Sequence, residues 1–170
     1  LITDLAEIAW MLNVRGGAIA YNPLVMSYLL VAKDKVEWFV KKDSLKDLDD
    51  ETLDSFEELE KDGVKVSGYS DLAVGLMAAQ ATCEKIYVDP ATLNYTVSKK
   101  LADIFGDDNI TMDVSPVRLR KGIKNATEIA GFREAYIEDG VAMAFAQGRL
   151  SQSANYYWSI PQTANYRVVL

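Results

Sequence analysis

Histidine is absent from this 170-residue sequence, and there is one cysteine. The missing imidazole removes the Ser-His-Asp triad, the Cys-His dyad and zinc sites built on histidine. A carboxylate-only metal site is all that remains of the common hydrolytic arrangements. The lone Cys83 rules out an internal disulfide, which fits a reducing, cytoplasmic compartment. With a small-residue run before it and the apolar Ile86-Tyr87-Val88 after it, Cys83 reads as a buried structural thiol. Runs of apolar residues long enough to cross a membrane are also lacking, as is a signal-peptide pattern. The chain begins at Leu1 rather than Met, in what reads as mid-sequence, which leaves room for an upstream segment.

What is present suits one domain of ordinary size. Hydrophobic residues make up 49% and charged residues 25%, close to the average for globular chains. The net charge of −7 is concentrated: Asp47 to Asp62 holds nine acids against the single base Lys61, leaving the rest nearly neutral. Phosphate backbones need a broad basic face, so nucleic acid is not an expected partner. The cluster Arg118, Arg120, Lys121 and Lys124 has no interleaved aromatics or Gly-rich cradle, and reads as a solvated connector or a partner for an acidic neighbouring domain. Asp49-Asp50-Glu51 opens a helix and Asp107-Asp108 sits in a turn, ordinary places for acids. Three Asn-x-Thr sequons, at Asn94, Asn109 and Asn125, read as chance.

Local patterns give an order of elements. Thr3 can cap a helix over 4–12, and Arg15-Gly16-Gly17 ends it. Asn22-Pro23 marks a loop. Residues 24–32 and 36–40 read as a β-hairpin turned by Lys33-Asp34-Lys35, with Trp38 and Phe39 facing opposite sides. An acidic helix over 44–62 stops at Gly63. A strand follows at 64–66, then a Ser70-capped helix over 71–82, a strand at 85–88, a helix over 91–105 and a strand at 110–114. Asn125 and Glu128 form a capping-box pattern opening a last helix. That helix carries two apolar stripes, Ile129-Phe132-Tyr136 and Ile137-Val141-Phe145, as a helix packed on more than one side would. Alternating strands and helices behind a hairpin predict an α/β fold with a mixed β-sheet flanked by helices.

Three stretches together resemble the Xaa-Pro aminopeptidase (aminopeptidase P) family of the cytosolic eukaryotic type. They are AEIAWMLNVRG at 6–16, NPLVMSYLLV at 22–31 and KGIKNATEIAGFREAYIEDGVA at 121–142, in the family's order and spacing. Departures fall at Ala18, where relatives often carry aspartate, and at Val25 and Met26, where they often carry aromatics.

The resemblance implies a three-domain parent whose first two domains have creatinase/prolidase N-terminal folds of ribonuclease H-like type. A third, "pita-bread" domain would hold two divalent ions, typically manganese, through two Asp, one His and two Glu. The parent would release an N-terminal residue that precedes proline. Residues 1–124 would be the middle domain, 125–150 the helix leading into the catalytic domain, and 151–170 an unassigned tail. No catalytic or metal-ligating residue is then expected in this piece, which would be inactive alone. Arg15, Tyr21 and Asn22 lie on a Gly- and Pro-marked loop that would face the neighbouring domain's substrate entrance, unless Arg15 only ties the loop to carbonyls or a carboxylate of its own domain. The implied partners are the parent's own catalytic domain, short peptides with proline second, and a second copy in a homodimer. The alternative is a binding module of an inactive aminopeptidase-like protein, of the histone-chaperone type, whose acidic helix meets a basic partner.

Overall fold

The structure, a computed structural model, describes residues 1–16, 19–41 and 57–152, with side chains through Gly148. The chain falls into two compact units, Leu1–Gly122 and Ile123–Leu170.

In the first unit, α1 (Leu5–Leu12) is capped by Asp4, whose Oδ1 accepts from the amides of Ala6 (2.8 Å) and Glu7 (3.2 Å). The expected cap, Thr3, instead shares a hydrogen bond with Thr92. Strands β1 (Ser27–Val31) and β2 (Val36–Val40) form the hairpin, antiparallel with Leu29 opposite Trp38. The first strand starts three residues later than its apolar run suggested. Val25 instead packs beside β1 in the α1 core, and its carbonyl accepts from Ser27 Oγ. Residues 57–61 are helical and end at Gly63, whose φ of +87° is the left-handed conformation that favours glycine. The rest of the expected acidic helix lies outside the described residues.

Strand β3 (Val64–Gly68) runs parallel to β2, completing a mixed three-stranded sheet of order β1-β2-β3. A 3-10 turn over Tyr69–Asp71 then leads into α2 (Leu72–Gln80). Asp71 rather than Ser70 serves the start, its Oδ2 accepting from Gly68 N–H. Strand β4 (Ile86–Val88) pairs in parallel with β5 (Ile110–Met112) across α3 (Tyr95–Phe105). Asn94 caps α3 at Val97 N–H, which places its start four residues beyond the expected one. The segment before α1 joins the two ladders: Ile2 bridges Leu29, and the Leu1 nitrogen donates to Tyr87 O at 2.8 Å.

One face of these strands carries Tyr28, Leu30, Phe39, Ile86 and Val88 under α2 and α3. The other carries Leu29, Trp38, Val40 and Val64 under α1. Trp38 and Phe39 therefore both vanish from solvent on opposite faces. Each is worth about 2–3 kcal/mol of burial. Trp10 on α1 is partly exposed, and Cys83, expected to be buried, is half-buried. A short helix that the sequence reading did not place, α4 (Pro116–Gly122), closes this unit.

In the second unit, α5 (Ala126–Gln152) opens on the expected capping box: Glu128 N–H donates to Asn125 Oδ1, and Asn125 N–H to Glu128 Oε2, both at 2.8 Å. The Lys124 ammonium lies 5.9 Å from the Phe132 ring centre. Both apolar stripes are exposed.

Candidate functional site

The sequence-predicted loop hangs from the C-terminal end of α1. Asn13 turns left-handed (φ 51°), and the Arg15 guanidinium donates from Nη1 to the carbonyls of Ala9 and Val14, each at 2.9 Å. The Ala9 carbonyl also accepts from the Val14 amide, so Arg15 adds a side-chain tie between the last turn of the helix and the residue that leaves it and acts as a C-terminal clamp. Gly16 N–H donates to Pro23 O and closes the loop's neck. Within it, Asn22 N–H returns to Ile19 O, making a tight turn with Tyr21 at its tip. Tyr21 holds φ +60° and is fully exposed. A left-handed conformation costs a non-glycine residue about 1 kcal/mol or more, and no burial of the ring offsets it here. Arg15, Tyr21 and Asn22 are therefore on one loop, but Arg15 is spent on its own helix while Tyr21 points into solvent.

At the other end of α1 is a buried polar network that the sequence reading missed. Glu7, in the first turn of α1, is 1% exposed, and Asp89 and Ser115 are each 6% exposed. Ser115 Oγ donates to Glu7 Oε2 at 2.5 Å, across 108 positions of sequence. Ser115 N–H donates to Asp89 Oδ2 (2.9 Å), and Ala91 N–H to Asp89 Oδ1 (2.9 Å). Arg118 on α4 puts Nη2 3.0 Å from Asp89 Oδ2 and Nε 3.7 Å from Glu7 Oε1. The two amides, with Arg118 beside them, hold the Asp89 carboxyl below the usual carboxylate range. Asp89 thus stays charged as a fixed acceptor and is no proton donor near neutrality. A cavity of about 290 Å³ opens beside the network, walled by Ile2, Met11, Val31 and Tyr87 among others.

The sequence did carry a signal for this network. Ser115-Pro116 is a cap followed by proline at the first helical position, and it marks α4. Arg118, read with its basic neighbours as a connector, is instead paired inside its own unit. Glu7 sits within the first resemblance motif, but nothing local announces that its carboxylate is buried.

Among the described residues, no three His, Cys, Asp or Glu side chains converge as a metal site would require. The chain also lacks the histidine of the donor set that the resemblance implies. The residues here do not fit a two-ion centre, and no metal-dependent step is assigned to them.

Residues 1–128 match the creatinase/prolidase N-terminal domain, and the chain belongs to that family. Its relatives are Xaa-Pro aminopeptidases. It is 35% identical over 143 residues to Xaa-Pro aminopeptidase 1 of Dictyostelium discoideum, covering 84% of this chain and 21% of that protein. It is 34% identical over 156 residues to a probable Xaa-Pro aminopeptidase P of Laccaria bicolor, covering 92% and 23%. The fold is similar to the crystal structure of X-prolyl aminopeptidase from Caenorhabditis elegans, described as a cytosolic enzyme with a di-nuclear active site. The TM-score is 0.71 at 28% identity, over 87% of this chain and 23% of that one. The chain thus spans about a quarter of the length of the relatives it matches.

Proposed function

We propose that this chain is the non-catalytic middle domain of a metal-dependent aminopeptidase that releases an N-terminal residue preceding proline. Residues 1–124 form that domain, 125–150 the helix into the catalytic domain, and 151–170 a tail without an assigned role. The carrying observation is the family match over residues 1–128 in a chain without histidine that spans about a quarter of its aminopeptidase relatives. The chemistry would then belong to the remainder of the parent, where two divalent ions, manganese by family resemblance, would supply Lewis-acid activation of the scissile carbonyl and a metal-activated water.

This domain braces the catalytic domain and limits access to short peptides with a free amino end. Two features support the reading. The apolar stripes of α5, with Phe132, Tyr136, Val141 and Phe145 exposed, offer a surface for a neighbour. The loop of Arg15, Tyr21 and Asn22 presents an uncovered aromatic on a clamped neck, suited to line a substrate entrance. The parent works in the cytoplasm, and a homodimer suits it.

The test is hydrolysis of a peptide with proline second by the purified full-length parent and by this chain. The parent is expected to release the first residue, to lose activity to a chelator and to regain it with manganese, while this chain alone is inert. A full-length parent that leaves Xaa-Pro bonds intact with manganese present overturns the proposal.

A further inference from the structure

We infer that Glu7 and Ser115 are positioning residues for Gly16, Tyr21 and Asn22 of the loop after α1, a role that rests on the access function proposed above for that loop. The helix α1 is short, eight residues, so its two ends are rigidly linked. Its N-terminal turn is held from below by the Ser115–Glu7 bond and by Arg118, which also grips Asp89. Its C-terminal turn is clamped by Arg15 and continues directly into the loop's neck at Gly16.

The neck is crowded. A side chain on Gly16 would press on Val25 Cγ2 and on the Leu24 carbonyl, so the neck tolerates little displacement before its contacts change. A shift of α1 at Glu7 is therefore passed to the presentation of Tyr21 and Asn22. The tie also runs to α4, whose last residue, Gly122, is followed directly by the second unit. One buried network thus sets the helix that carries the loop and the segment that leads toward the catalytic part of the parent. Burial matters here because a hydrogen bond made out of reach of water has no solvent partner to replace it when it is lost.

The deciding experiment is residue-resolved amide hydrogen exchange on this chain as wild type, Ser115→Ala and Ser115→Thr. Loss of the hydroxyl is expected to speed exchange at Gly16, Asn22 and Leu24 by about tenfold, with Phe39 and Leu101 unchanged, and the Thr variant restores protection. Uniform acceleration at every amide, or no change at the loop, overturns the inference and leaves a purely structural tie. If the Ala variant does not fold, Arg118→Lys is read by the same criteria.

A second arm uses the parent. Ser115→Ala is expected to raise KM for a Xaa-Pro peptide about tenfold with kcat within about twofold, because misplacement lies in binding and not in chemistry. An unchanged KM in an active parent also overturns the inference. A wild-type parent without activity sinks the enzyme reading instead, and the exchange arm still decides the network.

Discussion

Gly75 of α2 lies directly over the Phe39 ring of β2, so close that a Cβ on the glycine would fall inside van der Waals contact with Cζ and Cε1. Phe39 is fully buried, so the ring cannot swing out into solvent without giving up its core contacts. In an exposed helix, replacing glycine by alanine stabilises by about 1 kcal/mol. Here the clash reverses the sign. Gly75→Ala is expected to destabilise by about 2 kcal/mol, read from the midpoint of urea unfolding.

Glu37 supplies an acid-sensitive contribution. It is buried in the central strand, with Lys35 at 2.6 Å, Lys65 at 2.8 Å and Ser67 Oγ at 2.6 Å. Burial pushes its carboxyl up, but the two lysines and the serine outweigh this and bring it down to about 2. A depressed folded value means that the stabilisation is fully present above the ordinary value near 4.5 and is lost as pH falls toward 2. Because both lysines are partly exposed, about 2 kcal/mol is the expected size. Glu37→Gln should lower stability by that amount at pH 7 and show a flatter decline between pH 5 and about 2 in acid unfolding.

Tyr28 and Tyr69 stack at 4.9 Å, and the Tyr28 hydroxyl accepts from Tyr69 OH and from Asn94 Nδ2, each at 2.9 Å. Burial, then Tyr28, pushes the Tyr69 phenol up to about 12. The neutral form is the one the fold favours, so its stabilisation is present below pH 10 and is lost as pH rises through about 12. Tyr28→Phe is expected to cost about 1–2 kcal/mol, since it strands the Asn94 amide, and to shift the late phase of phenolate absorbance to lower pH.

Tyr21 separates stability from function. Tyr21→Gly relieves left-handed strain but frees the unfolded chain, so thermal stability should move by less than about 0.5 kcal/mol. In the full-length parent the same change removes the exposed ring, and kcat/KM on a Xaa-Pro peptide should fall by about tenfold. Unchanged kcat/KM would remove Tyr21 from the access loop.

Much of the fold was legible because it is written locally. The hairpin follows from two apolar runs around a charged turn, and the α5 start from Asn125 and Glu128, whose reciprocal bonds form without any distant partner. The errors also have local causes. Thr3 and Ser70 are both acceptable caps by type, and each stands one residue before an aspartate: Asp4 takes the first amides of α1, while Asp71 stands at the start of α2 and accepts from the Gly68 amide before it. The helix α4 was hidden because three of its seven residues are basic and none of them is buried, so no apolar stripe announces it.

Sequence alone determined the family motifs, the α/β class and the exclusion of imidazole chemistry, since these depend on residue identity and near-neighbour spacing. Tertiary structure decided which charges are buried. Glu7 and Ser115 stand 108 positions apart, and neither residue's neighbours reveal that the strands between them fold the two into hydrogen-bond contact. It decided the same for Arg118, one of four basic residues in sequence but the one held by Asp89 in space. The physical reason is that desolvation and charge pairing act through distance in three dimensions, which spacing along a chain does not specify beyond a helical turn or a strand pair.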